Sequence, residues 1–115
     1  VSLHCPARPE TYQLINSDRL IEMKSSAFLI NTARGDIVDE AALCQSLNAG
    51  GIAGAGLDVF ENEPLISREL LDRENVVLLP HLGSATHETR IAMGNKVIEN
   101  AVAFFEGVEP PNRVA

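Results

Sequence analysis

Four short apolar runs, separated by stretches with helical spacing, restrict this chain to an α/β architecture. The runs are Val1-Ser2-Leu3 and residues 27–31, 52–59 and 76–79. The second is continuously apolar, as in strands buried on both faces of a parallel sheet. Pro6 and Pro9 break the pattern after the first run, and Leu14, Ile15, Leu20, Ile21 and Met23 then recur at helical spacing, with Ser17 the predicted N-cap before Asp18. Asp39 is predicted to cap a helix carrying Ala42, Leu43 and Leu47, closed by glycine at Gly50-Gly51. Residues 52–59 contain Ala53, Gly54, Ala55 and Gly56, small enough for a helix or ligand to approach the backbone closely. Residues 61–75 read as a polar loop with a helical patch around Leu65, Leu70 and Leu71. Ser84 or Thr86 then caps a long helix with Glu88 in its first turn and a stripe of Ile91, Gly94, Val97, Ile98, Ala101 and Phe105. Gly107 ends it and Pro110-Pro111 stiffens the tail. Strands alternating with crossovers predict a parallel sheet with right-handed connections.

Composition narrows the function classes. With 115 residues and 45% hydrophobic content the chain can build one small core, and its net charge of -7 opposes the phosphate attraction that dominates nucleic-acid and anionic-membrane binding. No apolar run approaches the roughly 20 residues that span a bilayer, and there is no leader-like start. Cys5 and Cys44 lack metal-ligand spacing and are too few for a disulfide framework, so no metal is expected and reduced thiols in a cytoplasmic protein are. The opening at Val1 resembles the second half of a strand, and the expectation is that an N-terminal part precedes it.

The ends of the apolar runs carry the chemistry. Phe28, Leu29 and Ile30 lead into Asn31-Thr32-Ala33-Arg34-Gly35, Gly56-Leu57-Asp58-Val59 leads to Glu61, Glu63 and Pro64, and residues 76–79 lead into Pro80-His81-Leu82-Gly83. Ligands of open parallel sheets bind outside the carboxyl ends of the strands. An arginine, a carboxylate and a histidine at three successive tips are therefore expected to form one site, although each alone reads as a solvated residue. The Gly-x-Gly-x-x-Gly turn of a dinucleotide fold is absent, since Gly50, Gly51, Gly54 and Gly56 precede a strand and not a helix.

These segments, taken in order from His4-Cys5-Pro6 and Pro9-Glu10-Thr11 through Asn31 to Gly35, Ile37-Val38-Asp39-Glu40, Gly54 to Phe60, Glu63-Pro64 and Pro80 to Thr86, resemble the C-terminal part of NAD(P)-dependent D-isomer-specific 2-hydroxyacid dehydrogenases. Residues 80–86 and the ending Phe104-Phe105-Glu106-Gly107 followed by Pro110-Pro111-Asn112 look most like the glyoxylate/hydroxypyruvate reductase branch. The resemblance implies a partial Rossmann-type parallel sheet with flanking helices, the C-terminal half of a dinucleotide-binding domain over residues 1–107, with residues 108–115 a tail toward a substrate domain. It implies NAD or NADP as cofactor and a small 2-keto acid, glyoxylate or hydroxypyruvate, as substrate, with 2-ketogluconate or phosphoglycerate as alternatives and a nucleotide-sensing corepressor scaffold as a non-catalytic one. Arg34 would hold the substrate carboxylate, His81 would act as acid/base, and Glu63 would pair with His81, where a neighbouring negative charge stabilises the imidazolium. Asp58 matches the acid that binds the nicotinamide carboxamide. His4, Cys5, Pro6, Thr32, Ala33, Arg34, His81 and Gly83 match cofactor-side positions, with Thr11 a weaker candidate. Ala7-Arg8 departs from the Leu-Thr of many members and removes a hydroxyl at that turn. Glu61 is expected to be a solvated loop acid, and the His4 and His87 rings structural or solvated. Family members are commonly dimeric, with the helix over 86–106 a candidate for that packing, and the chain alone is expected to be inactive.

Overall fold

The computed structural model describes residues 1–114 and divides into two compact units, Val1–Gly83 and the described residues from Ser84 onward.

In the first unit four strands, β1 (Ser2–Leu3), β2 (Phe28–Asn31), β3 (Gly54–Leu57) and β4 (Val76–Leu78), form one all-parallel sheet in sequential order. Parallel neighbours need a crossover between them. Helices α1 (Ser17–Ile21) and α2 (Glu40–Asn48) lie in the first two crossovers and pack on each other, and the short α3 (Arg68–Leu71) precedes β4 and packs on it. Leu20 of α1, Leu43 and Leu47 of α2 and Leu70 of α3 share one core with Leu3, Leu29, Ile37, Ala55 and Leu57.

Burial on both faces of β2 is not observed. Leu29 and Asn31 are buried, whereas Phe28 and Ile30 stay 57% and 37% exposed. The reason is that the core joins the helices of this unit to the Leu29 face alone. On the other face the small residues of β3 admit neighbouring strands and not a helix: a Cβ on Gly54 would lie 2.4 Å from the Asn75 carbonyl oxygen and 3.0 Å from the Phe28 ring.

The predicted caps hold with one exception. Asp39 accepts a hydrogen bond from the Ala42 amide at 2.9 Å, and Gly50 closes α2 with φ +67°. For α1 the cap is Asn16 and not Ser17, since the Asn16 side chain accepts from the Arg19 amide at 3.1 Å and leaves Ser17 inside the first turn. Asparagine caps at least as well as serine, and the Leu20 spacing tolerates either start.

The second unit contains α4 (His87–Phe105), capped by Thr86, whose side chain accepts from the Thr89 amide at 3.2 Å, and closed at Gly107 with φ +72°. None of its residues is buried, so the Ile91, Val97, Ile98 and Phe105 stripe stays exposed. No helix among the described residues is long and apolar enough to cross a membrane.

Candidate active site

The site is assembled from backbone outward. Asn31 ends β2 as a polar residue only 1% exposed, and buried polar groups need partners. Its Oδ1 accepts from the Ala33 amide at 3.0 Å and its Nδ2 donates to the Arg34 carbonyl at 2.8 Å. One side chain thereby pins the turn that carries Thr32, Ala33 and Arg34. Just beyond, residues 13–15 run beside residues 36–39: the Gln13 amide donates to the Asp36 carbonyl at 2.8 Å and the Ile15 amide to the Ile37 carbonyl at 3.0 Å.

Gly35 then permits a close approach between loops. A Cβ at this residue would fall 1.9 Å from the Phe60 carbonyl carbon and 2.4 Å from the Glu61 nitrogen, inside any real contact distance. The Arg34 turn can lie against the loop that follows β3 only because residue 35 has no side chain.

On that loop Glu63 is gripped from two sides. Its Oε1 accepts from the Phe60 amide at 3.0 Å, and its Oε2 lies 2.8 Å from His81 Nδ1. The hydrogen bond with His81, then the Phe60 amide, and to a smaller degree the charges of His81 and Arg34, hold the Glu63 carboxyl below the usual carboxylate range. An ionised Glu63 accepts, so Nδ1 of His81 donates and Nε2 is the ring nitrogen without a partner among the described residues.

His81 itself has φ +56°, a left-handed conformation that costs a non-glycine residue about 1–2 kcal/mol. Asp58 holds it there. The Asp58 carboxylate, 5% exposed, accepts from the Leu82 amide at 2.7 Å through Oδ1 and from the Gly83 amide at 3.1 Å through Oδ2. The two peptides after His81 are thus fixed to the end of β3, and the turn that strains His81 is held by charge-assisted bonds.

Two cavities lie at the strand ends. A groove of about 520 Å³ is lined by His4, Cys5, Pro6, Ala7, Thr32, Ala33 and Arg34. It gathers six positions expected on the cofactor side. A smaller cavity of about 150 Å³ is lined by Phe60, Glu63, Pro64, Ile66, Pro80 and His81. No lining residue is common to both, so Arg34 does not share a cavity wall with Glu63 and His81; the link between them is the Arg34 charge felt by the Glu63 carboxyl and the contact at Gly35. Asp58 and Gly83 line neither.

Other sequence candidates are engaged locally. The Thr11 hydroxyl donates to the Pro6 carbonyl at 2.8 Å and accepts from the Arg8 amide at 2.9 Å, which shapes the turn of residues 6–11. His4 Nε2 lies 2.8 Å from the Ser2 hydroxyl, and His87 is the exposed first residue of α4. Glu61 is less solvated than expected: it is half-buried, its side chain accepts from Gln13 Nε2 at 3.4 Å, and its amide donates to Glu40 at 2.6 Å. Sequence reasoning left out both Asn31 as a turn anchor and Glu40. The available signal was a polar residue closing an apolar run in the first case, and none in the second, because a glutamate after an N-cap is ordinary.

Comparison with known proteins decides the family. Residues 1–83 match the family described as D-isomer specific 2-hydroxyacid dehydrogenase, NAD binding domain. The chain belongs to this family. Over 114 residues it is 54% identical to the glyoxylate reductase of Thermococcus litoralis, a match covering 99% of the chain and 34% of that protein. Over 115 residues it is 49% identical to glyoxylate/hydroxypyruvate reductase B of Serratia proteamaculans, with 99% and 35% covered. The crystal structure of the NADPH-dependent glyoxylate/hydroxypyruvate reductase of Sinorhizobium meliloti with NADP and malonate superposes with a TM-score of 0.95 at 46% identity, covering 99% of the chain and 36% of that structure. The chain spans about a third of the length of these relatives. The parallel sheet with flanking helices is therefore part of a Rossmann-type NAD-binding domain, as the residues implied.

Proposed function

We propose that the protein carrying this chain reduces a small 2-keto acid, glyoxylate or hydroxypyruvate, to the D-2-hydroxyacid with NADH or NADPH. The observation that carries this reading is the 2.8 Å contact between His81 Nδ1 and an ionised Glu63 whose carboxyl also feels Arg34. It gives a proton carrier with an oriented ring beside a guanidinium suited to a carboxylate. The groove at residues 4–7 and 32–34, with its exposed Thr32 and Arg34 and half-buried Ala33, fits the nicotinamide end of a dinucleotide. When bound, such a cofactor supplies a hydride.

The chain's own residues do the rest. Arg34 pairs with the substrate carboxylate and orients the carbonyl. His81, with Nδ1 given to Glu63, presents Nε2–H to the carbonyl oxygen and donates its proton as the alkoxide develops; in the oxidative direction the same nitrogen accepts it. Glu63 fixes the tautomer and carries the compensating charge. Asp58 positions His81 through the Leu82 and Gly83 amides, and its remaining lone pairs are available to a carboxamide. We propose further that residues 1–107 act as the cofactor-side half of the enzyme, that residues 108–115 lead into a substrate domain, and that the protein works in the cytoplasm as a homodimer.

The test is oxidation of NADH and NADPH by the complete protein with glyoxylate and hydroxypyruvate. Turnover dependent on both keto acid and cofactor is expected; cofactor binding with no turnover on any small 2-keto acid would instead support a nucleotide-sensing scaffold.

A further inference from the structure

Glu40 is the first residue of α2, where an acid ordinarily just complements the helix dipole. Here it reaches out of its helix. Its Oε1 accepts from the Glu61 amide at 2.6 Å, across 21 residues of chain, and burial pushes its carboxyl up despite that hydrogen bond, with the Glu61 charge adding to the rise. A partly buried carboxyl facing a like charge is an unfavourable place for an acid unless the amide contact is worth holding.

The peptide it holds has a particular position. Phe60 and Glu61 are the two residues against which Gly35 packs, so this peptide abuts the Arg34 turn. The same Phe60 donates its amide to Glu63 Oε1, and Glu63 Oε2 receives His81 Nδ1. Gln13 adds a contact from the segment that runs beside residues 36–39. A continuous chain of contacts therefore runs from Glu40 through the Phe60–Glu61 peptide to the Glu63 carboxylate and the His81 ring.

We infer that Glu40 is a positioning residue: it clamps the Phe60–Glu61 peptide so that Glu63 meets His81 while the Arg34 turn lies alongside. It touches none of the reacting groups. Its importance for catalysis rests on the function proposed above, but the clamp itself is open to test without turnover.

The test is carbon-13 NMR titration of the side-chain carboxyls in the complete protein that carries this chain, comparing the unmodified protein with Glu40→Gln, Glu40→Ala and Glu40→Asp. The titratable and charged groups in reach are the Glu61 carboxylate and the neutral Cys44 thiol around Glu40, and His81 and Arg34 around Glu63. Glutamine keeps an oxygen for the Glu61 amide, so Glu63 should titrate at or slightly below its original midpoint. Alanine removes the acceptor and should raise the Glu63 midpoint by about 0.5 pH unit or more, the scale of one weakened hydrogen bond. Aspartate keeps the charge but stops one methylene short, and it should raise the midpoint in the same way, which keeps the answer accessible if the alanine chain fails to fold. The sign separates positioning from simple repulsion, because loss of a nearby negative charge by itself would lower the Glu63 midpoint in both Glu40→Ala and Glu40→Gln. A Glu63 midpoint that is unchanged or lowered in the alanine or aspartate chain, or raised equally in the glutamine chain, overturns the assignment. Since no substrate is involved, a protein that reduced no keto acid would leave this result standing, and a failed clamp would leave the reductase reading intact.

Discussion

In the proposed reaction Arg34 would supply a fixed charge and His81 a movable proton, and substitutions should separate the two roles. Arg34→Lys keeps the cation but loses the planar fork, at a cost of about 1.5–3 kcal/mol for a charged hydrogen bond. In the complete enzyme this predicts a fall of about 10- to 100-fold in kcat/KM for the keto acid, with a raised KM, while His81→Ala lowers kcat by about 10²- to 10⁴-fold and leaves cofactor affinity unchanged. Steady-state kinetics and cofactor titration would reveal it, and an unchanged rate in either variant removes that residue from its role. Glu63 adds a pH dependence whose sign follows from its lowered carboxyl. A depressed folded-state value stabilises the native chain above the ordinary glutamate range and loses that contribution as pH falls below that range. Because both side chains of the pair are more than a third exposed, solvent screening keeps the effect under about 1 kcal/mol. Urea unfolding between about pH 3 and 6, in steps of about one unit, should show Glu63→Gln with a flatter acid limb than the unmodified chain.

At the scale of elements, the site depends on loops being held at the ends of strands. Asn31 anchors the turn after β2, Gly35 admits the loop after β3, and Asp58 anchors the turn after β4. Asp58→Asn is the sharpest probe of this arrangement, since the amide nitrogen of asparagine would face one of two peptide N–H groups that now have a carboxylate. An unpaired donor of this kind costs about 1–3 kcal/mol. Loss of stability in that range in chemical denaturation, together with faster hydrogen exchange at Leu82 and Gly83, is expected; exchange as slow as in the unmodified chain would show that Asp58 does not hold the His81 turn. The positions of these elements were legible in the sequence. Apolar runs and caps at Asp39 and Thr86 are local signals, and the local chain obeys them. The role of Asn31 was less visible, and that of Glu40 was invisible, because their partners lie in loops whose proximity no periodicity encodes.

For the whole molecule, the surface of α4 bears on assembly. Its apolar stripe is exposed, with Val97 and Ile98 at 70% and 61%, an unusual density of large apolar groups for a helix facing water. A homodimer built on this helix predicts that Val97→Glu with Ile98→Glu converts the complete protein to monomers in sedimentation velocity. A dimer that survives both charges would move the interface elsewhere.

What the sequence by itself determined is the order and kind of the elements, the parallel sheet, and the residue types delivered to its carboxyl edge, because hydrophobic period, caps and strand-terminal polar residues are written in neighbouring positions. Only the tertiary structure decided that the core of the first unit lies on the Leu29 face of β2, that Arg34 lines a different cavity from Glu63 and His81, and that Asp58 and Glu40 accept hydrogen bonds from the loops on which those groups sit. These depend on distances between segments 20 or more residues apart, set by packing across the sheet and by a single missing side chain at Gly35.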